Sequence, residues 1–240
     1  SLEEGDFWLL ALIARYRIND HPGWKISQED VAIFQYTGGT TGTSKAALAT
    51  HRNLVANTLQ FRHWLPSLQE GKEVILAAIP LYHVYGMVLG MLLGVFIGAP
   101  LLLVANARNM NDLLENIQEY KPTIFPGVPL LYHALSNHAD VKAGKYSLKS
   151  LKVCISGSAP LMPGTKESFE ALIGGKIIEG YGLSEAPTAT HCNPQHGVNK
   201  IGSIGMPLPD VDARVVNLED GEKDVEIGEL GELVISSPQV

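Results

Sequence analysis

The sequence has little cysteine and no concentrated positive charge. Cys154 and Cys192 are its only two cysteines, and their spacing fits no metal-binding motif. Lysine and arginine number 18 against 25 acidic residues, so the net charge is −7. Because nucleic-acid-binding surfaces are basic, this balance argues against DNA or RNA as a partner. Cys154 lies in the apolar run 151–156, which predicts a buried core thiol.

The sequence also lacks internal repeats, low-complexity tracts and a signal peptide, which favours a cytoplasmic location. It has one long uncharged run of 19 residues, 87–105, for which two interpretations stay open. The run has the length of a membrane span, and glycines recur through it at the spacing of packed membrane helices: Gly86, Gly90, Gly94 and Gly98. The turn sequence at 98–100 instead favours a buried helix followed by a strand, with the glycine row packed against a sheet or a ligand.

A loop rich in glycine and threonine, residues 36–45, carries the clearest chemical signal. Three glycines, Gly38, Gly39 and Gly42, allow backbone N–H groups to approach an anion closely. Hydroxyl groups and a flexible positive charge accompany them: Thr37, Thr40, Thr41, Thr43, Ser44 and Lys45. A Walker A loop would need glycine directly before the lysine, where this sequence has serine. The loop predicts a polyphosphate cradle, with an exposed polar turn as the alternative.

The residues on both sides of this loop predict how it is held. Segment 31–36 is rich in β-branched and aromatic residues, which predicts a buried strand. After the loop, Thr50 is a suitable N-cap for a helix whose apolar face carries Leu54, Leu59 and Phe61. The expected order is strand, phosphate loop, helix, the usual setting of a phosphate-binding loop.

Strand and helix signals alternate along most of the chain. Predicted strands cover 73–79, 100–105, 122–128, 151–156 and 176–182. Predicted helices lie within the first 25 residues, in the apolar run, and at 110–120, 129–139 and 165–173. This alternation predicts an α/β fold, a mostly parallel sheet layered with helices. We expect residues 1–200 to form the α/β core and residues 201–240 a smaller, β-rich peripheral portion.

Three further segments with chemical side chains follow predicted strands. They are PLYHVYGM at 80–87, SGSAPL at 156–161 and EGYGLSEAPT at 179–188. Ligands of open α/β sheets bind at the carboxyl ends of the strands, so these segments are candidate parts of one site.

The third of these segments contains the most specific side chains. Tyr181 stands between two glycines, which leaves its ring face free to stack on a base. Ser184 and Glu185 offer a hydroxyl and a carboxylate suited to phosphate oxygens and Mg²⁺. Structural alternatives remain: a core aromatic for Tyr181, a solvated turn acid for Glu185, and a core histidine for His83 in the first segment.

Segments 36–53, 80–87, 156–161 and 179–186, in that order, resemble the adenylate-forming superfamily, which contains the acyl-CoA synthetases. The chain is most similar to long-chain fatty-acid–CoA ligases. The resemblance implies that ATP and a fatty acid, or another carboxylate, form an acyl-adenylate and pyrophosphate. Coenzyme A then displaces AMP, and Mg²⁺ assists. Such chemistry requires charge neutralisation and alignment, and no covalent nucleophile.

The resemblance also assigns roles to individual residues. The cradle for the β- and γ-phosphates would contain Thr37, Gly38, Gly39, Thr40, Thr41, Gly42 and Lys45. Ser184 would contact phosphate and Glu185 would bind Mg²⁺, so the expected catalytic residues are Lys45, Ser184 and Glu185. The rest of the nucleotide site would comprise Gly157, Ser158, Ala159, Glu179, Gly180, Tyr181 and Gly182. The acyl pocket would be bordered by His83, Gly127 and Val128.

The chain departs from the family pattern in several places. Ala46 stands where the family usually has glycine after the lysine, and Ser184 stands where threonine is commoner. The family continues with a Thr-Gly-Asp segment that grips the ribose and a small C-terminal domain with a catalytic lysine, neither of which occurs in these 240 residues. We therefore expect a central fragment of a larger ligase, without full activity, whose natural partner is the C-terminal domain of the same parent chain.

Other interpretations and partners follow from the same observations. The alternative to a ligase fragment is a stand-alone nucleotide-binding or regulatory module without ligase activity. Membrane contact would be at most peripheral, at the inner face. Apolar surface exposed by truncation would favour homo-oligomers.

Overall fold

A seven-stranded sheet dominates the structure, a computed structural model that describes residues 8–15, 23–37 and 45–240. The strand order is β4-β3-β5-β6-β7-β8-β9. These strands are β3 Ile75–Ala77, β4 Leu101–Leu103, β5 Ile124–Gly127, β6 Val153–Ser156, β7 Lys176–Tyr181, β8 His191–Cys192 and β9 Met206–Pro207. The strands from β4 to β7 are parallel, and β8 and β9 add antiparallel pairs at one edge. The predicted mostly parallel sheet is confirmed.

Helices cover both faces of this sheet, as the alternation predicted. The α-helices of the described residues are α1 Leu9–Arg15, α2 His51–Trp64, α3 Leu93–Phe96, α4 Met110–Tyr120, α5 Pro129–Asn137, α6 Ala139–Lys142 and α7 Pro163–Glu170. Successive residues of β6 serve different faces: Cys154 packs into the core under α4, α5 and α7, whereas Val153 and Ile155 pack under α2 and α3. This alternation follows from the two-residue period of a strand, and it makes both faces apolar.

The long apolar run is a buried helix, a turn and a strand, as one of the two interpretations predicted. A π-helix, Gly86–Leu92, continues directly into α3, and Gly98 adopts a left-handed backbone conformation with φ 63° before β4. An added Cβ at Gly90 would contact Ala77 of the sheet, and one at Gly94 would contact Leu101 of the sheet. The predicted packing against the sheet is therefore confirmed for Gly90 and Gly94, whereas an added Cβ at Gly98 would meet nothing within 4 Å. None of the described helices is long and apolar enough to cross a membrane.

The strand before the phosphate loop differs from the prediction. β1, Val31–Thr37, pairs with β2, Lys45–Thr50, in a separate antiparallel hairpin, so the loop joins two strands and the helix begins only after the second. None of its seven residues is buried, and Phe34 and Tyr36 are 63% and 68% exposed. β-branched and aromatic residues favour any pleated strand, whether or not both faces are covered.

The predicted start of α2 is confirmed, but one of its three predicted apolar positions is wrong. Thr50 is the N-cap and forms a capping box with Asn53. Leu54 and Phe61 are buried, whereas Leu59 is 37% exposed. Helix α4 likewise has the predicted bounds, and Tyr120 in its last turn is 52% exposed. Apolar side chains at the margin of a helix's apolar face are partly exposed to solvent.

The C-terminal region is rich in short strands, as expected. β10, Asp212–Val216, pairs with β11, Glu232–Ser236, in a separate two-stranded antiparallel sheet. β9, which lies beyond residue 200, still belongs to the main sheet. The proposed division at residue 200 stays a prediction.

Replacement of Gly86 by alanine should destabilise the fold. An added Cβ would lie 2.4 Å from the carbonyl oxygen of Pro80, which is backbone and cannot rotate away. We expect Gly86→Ala to lower the free energy of unfolding in urea by about 1–3 kcal/mol. Gly90→Ala in the same helix is the control, since its Cβ would meet its nearest atom at 3.6 Å. Equal losses in both variants would contradict this explanation.

Both thiols should be inert in the folded chain. Burial raises the pKa of Cys192 to about 12 and the pKa of Cys154 further still. Because the thiolate is the reactive form, we expect no reaction with a chromogenic disulfide reagent at pH 8 until urea unfolds the chain. Two thiols should then react together at the unfolding transition. Rapid labelling without loss of the circular dichroism signal would show that one thiol is accessible.

Candidate nucleotide-binding site

A cavity lies where the carboxyl ends of the central parallel strands meet. Its volume is about 210 Å³, and its walls come from the π-helix, from α2 and from the segments that follow β6 and β7. Parallel strands β5, β6 and β7 lie side by side, so the residues after each strand converge at this edge. Ligands bind at this edge in open α/β sheets.

Most of the predicted nucleotide residues line this cavity or a second one beside it. The first cavity is lined in part by His83, Gly157, Ser158, Gly180, Tyr181, Gly182 and Ser184. The second has a volume of about 410 Å³ and is lined in part by Ser158, Ala159, Glu179, Gly180, Tyr181 and Gly182. Four residues are common to both walls: Ser158, Gly180, Tyr181 and Gly182. The segments after β6 and β7 therefore form one continuous concave surface.

The backbone of these two segments is held in unusual conformations. Ser158 has φ 71°, in the left-handed region that residues with a Cβ rarely adopt. A Cβ at Gly182 would lie 1.6 Å from the carbonyl oxygen of Thr188, so only glycine fits there. Glu179 accepts a hydrogen bond from the backbone N–H of Leu161 at 2.8 Å, which ties the segment after β6 to β7. Glu179 thus has a structural function that the sequence did not indicate.

Tyr181 is half-buried at the junction of the two cavities, so it is not a core aromatic. One of its nearest ring neighbours is His191, at 6.3 Å between centroids and in an edge-on arrangement. His83 is exposed at the rim of the first cavity, so the interpretation as a core histidine is wrong. Its Nδ1 accepts a hydrogen bond from the backbone N–H of Tyr85 at 3.2 Å, which orients the ring.

Two buried tyrosines under the site escaped the sequence analysis. The hydroxyl of Tyr85 lies 2.6 Å from the carbonyl oxygen of Ile155 and 3.1 Å from that of Gly127. The hydroxyl of Tyr132 lies 2.7 Å from the same Ile155 oxygen and 2.8 Å from that of Phe125. Burial raises the pKa of both phenols well above their usual value, so both remain neutral donors. These hydrogen bonds fix the ends of β5 and β6. Of the two residues, only Tyr85 lies in a segment that the sequence had singled out, PLYHVYGM.

Some of the predicted residues do not reach the cavities. Gly127 ends β5, and a Cβ there would lie 2.7 Å from the ring of Tyr132, while Val128 packs against the core cluster under α4 and α5. Neither lines a cavity. Glu185 is exposed beside Ser184, where it makes no hydrogen bond or ion pair with any described residue.

The phosphate loop is only partly within the described residues. Thr37 and Lys45 are paired across the β1–β2 hairpin at the two ends of the loop. Lys45 is exposed, and neither residue lines the first cavity. The remaining predicted phosphate ligands lie outside the described residues: Gly38, Gly39, Thr40, Thr41 and Gly42.

The sequence is similar to known ligases. A family model described as "AMP-binding enzyme" matches residues 5–240. The curated "Long-chain-fatty-acid--CoA ligase" of Bacillus subtilis (strain 168) is 42% identical over 213 residues, which cover 89% of this chain and 37% of that protein. The same name belongs to an Escherichia coli O6:H1 protein that is 34% identical, with 97% of this chain and 44% of that protein covered.

Solved structures agree in fold. A long-chain-fatty-acid-CoA ligase (FadD1) from Archaeoglobus fulgidus has a TM-score of 0.75 at 31% identity, covering 88% of this chain and 43% of that one. ATP-bound MatB from Rhodopseudomonas palustris has a TM-score of 0.75 at 29% identity, covering 89% of this chain and 41% of that one. The chain therefore spans less than half the length of these relatives.

The strand-end cavities and the matches agree with the resemblance seen in the sequence. The similarity extends over nearly the entire chain, and the segments that carry the motifs meet at one edge of the sheet. The chain belongs to the family of AMP-binding enzymes.

Proposed function

We propose that this chain is the nucleotide- and acyl-binding core of an ATP-dependent ligase that joins a long-chain fatty acid to coenzyme A. The acid and ATP would form an acyl-adenylate and pyrophosphate, and the thiol of coenzyme A would then displace AMP. The observation that carries this proposal is the concave surface shared by Ser158, Gly180, Tyr181 and Gly182. The names of the relatives support a fatty acid as the carboxylate.

The concave surface suits an adenine. The ring of Tyr181 is accessible from two cavities, and an aromatic face stacks well on a base. Glycines on both sides of this tyrosine keep the approach open. Gly157, Ser158 and Ala159 line the same two cavities, and their peptide groups would meet the edge of the base. Peptide groups that line a pocket give a ligand its orientation as well as affinity.

The residues proposed for the phosphates suit a metal-bound polyphosphate. The described residues hold no group of three or more histidine, cysteine or acidic side chains that could hold a metal ion by themselves. Mg²⁺ fits such a setting, because it is usually bound by one or two carboxylates together with phosphate oxygens. Glu185 would be its carboxylate, and Mg²⁺ would neutralise part of the phosphate charge. Ser184 would donate its hydroxyl to a phosphate oxygen, and Lys45 would supply a positive charge from the other side.

The chain's own residues would act by alignment and charge. The phosphate loop at 37–45 would hold the β- and γ-phosphates so that they leave as pyrophosphate. His83 would stand between the nucleotide and the acyl chain, and Leu89 and Phe61 add apolar wall to the same cavity. Such a site lowers the barrier by holding the carboxylate near the α-phosphate and by stabilising the charge that develops. A cytoplasmic reaction, with at most peripheral contact with the inner face of the membrane, fits this substrate.

Substitution of the two proposed phosphate-side residues should abolish most of the first half-reaction. In the full-length natural polypeptide that carries this sequence, Lys45→Ala and Glu185→Gln should each slow ATP–pyrophosphate exchange by about 100- to 1,000-fold. Lys72→Ala and Glu115→Gln are matched controls, because both residues are exposed and lie outside the cavities. Exchange at the wild-type rate in both test variants would contradict the assignments. Nucleotide binding without any exchange in the wild-type polypeptide would instead favour a regulatory module.

The preferred acid should be a long alkyl chain. Each methylene that the protein buries contributes about 0.8 kcal/mol, so the specificity constant should rise steadily from octanoate to palmitate. The test is kcat/KM for octanoate, dodecanoate, palmitate and benzoate with the same polypeptide. A maximum at benzoate would contradict the chain-length assignment and leave the adenylation chemistry intact.

A further inference from the structure

One face of α2 carries a row of side-chain N–H donors, each directed at a carbonyl group far away in the sequence. The row follows helical spacing, and its members are Asn53, Asn57, Gln60 and Trp64. Their acceptors are the carbonyl oxygens of Pro238 at 3.2 Å, Ala189 at 2.8 Å, Pro209 at 2.8 Å and Asn193 at 3.2 Å. A helix that only filled a core would present apolar side chains here.

Two of these side chains are fully desolvated, so their hydrogen bonds matter. Asn57 is 0% exposed and Gln60 is 4% exposed. A buried amide that loses its partners is costly, whereas a satisfied one fixes a single arrangement, because hydrogen bonds are directional. The row therefore holds the segments after β7, β8, β9 and β11 at fixed positions along α2.

Asn57 binds the wall of the nucleotide cavity directly. Its Oδ1 accepts hydrogen bonds from the backbone N–H groups of Thr188 at 2.9 Å and Ala189 at 3.3 Å. Its Nδ2 donates to the carbonyl oxygen of Ala189 and to Oε1 of Gln60, both at 2.8 Å. One side chain thus satisfies three backbone groups of the segment that begins with Ser184. Thr188 and Ala189 line the cavity, and Asn57 itself does not.

The same helix is joined to Lys45, at the end of the phosphate loop, by strand β2 alone. Lys45 begins β2, β2 ends at Thr50, and Thr50 caps α2. Near the hairpin, Ala49 and Leu54 pack against Val88 of the π-helix. A displacement of α2 would therefore move the base of the phosphate loop and the Ser184 segment together.

We infer that Asn57 is a positioning residue that sets the position of the segment carrying Ser184 and Glu185 relative to α2 and Lys45. This inference rests on the proposed function, in which Lys45 and Glu185 act on the same polyphosphate. Asn57 acts through the backbone of Thr188 and Ala189 and touches no substrate. Loss of its side chain leaves the ligand-binding groups present but misaligned, which affects the transition state more than it affects binding.

The first arm of the test measures the segment itself by hydrogen exchange in the folded chain. In Asn57→Ala, the amides of Thr188 and Ala189 should exchange about tenfold faster or more, while amides of β5 and β6 keep their wild-type rates. Thr58→Ala is the matched control, because Thr58 is also buried on α2 and donates only to Leu54 of its own helix. Unchanged exchange at Thr188 and Ala189 would overturn the inference.

The second arm measures catalysis in the full-length natural polypeptide. Asn57→Ala should lower kcat of ATP–pyrophosphate exchange by about 100-fold with a KM for ATP within about threefold of wild type, and should raise the Mg²⁺ concentration needed for half the maximal rate. Thr58→Ala should leave all three values near wild type. Equal effects of both variants on kcat and KM would reduce Asn57 to a residue of the core and overturn the inference.

A variant that does not fold and a failure of the proposed function give results that can be distinguished from failure of this inference. If Asn57→Ala fails to fold, Asn57→Leu replaces it, because leucine fills a similar volume but neither accepts from Thr188 and Ala189 nor donates to the Ala189 carbonyl. The same signature of lowered kcat and raised Mg²⁺ requirement is expected, and its absence would count against the inference. A wild-type polypeptide that shows no exchange at all would overturn the proposed function, whereas normal wild-type exchange with a fully active Asn57→Ala would overturn only the role of Asn57.

Discussion

The alternation of side chains along buried parallel strands is the constraint on which the rest of the structure depends. In β6, Cys154 faces one apolar layer while Val153 and Ile155 face the other, so helices must cover both sides of the sheet. With both faces closed, the strand ends are where polar groups can meet a ligand. The segments after β6 and β7 are accordingly short of bulky side chains and contain Gly157, Ser158 and Gly182.

The site is stabilised from below and from the side by buried hydrogen bonds to backbone groups. Tyr85 and Tyr132 both donate to the carbonyl oxygen of Ile155. Ile155 is the residue before Ser156, with which β6 ends. From the side, Asn57 holds Thr188 and Ala189. These contacts use neutral groups, which satisfy buried peptide atoms at much lower desolvation cost than charges would. The proposed nucleotide site thus rests on a neutral polar framework.

The sequence was informative where one physical signal dominated. Helix α4 has the predicted bounds, because its apolar spacing is regular and a left-handed C-cap at Lys121 ends it. The position of the segments after β6 and β7 at cavities could be predicted because glycine and small hydroxyl residues follow strands there. Burial of β1 could not be predicted, since its composition suits a covered or an uncovered strand. Asn57 carried no signal, because its backbone partners are more than a hundred residues away in sequence and an isolated asparagine on a helix is common at the surface.

The measurement that tests the central claim most directly is calorimetric titration with a non-hydrolysable palmitoyl-adenylate analogue. The full-length natural polypeptide is titrated with this analogue, with the acetyl analogue and with Mg·ATP. Our account predicts that the palmitoyl analogue binds more tightly than the acetyl analogue, and that Mg·ATP competes with it. A folded polypeptide that binds neither adenylate nor Mg·ATP would contradict the account.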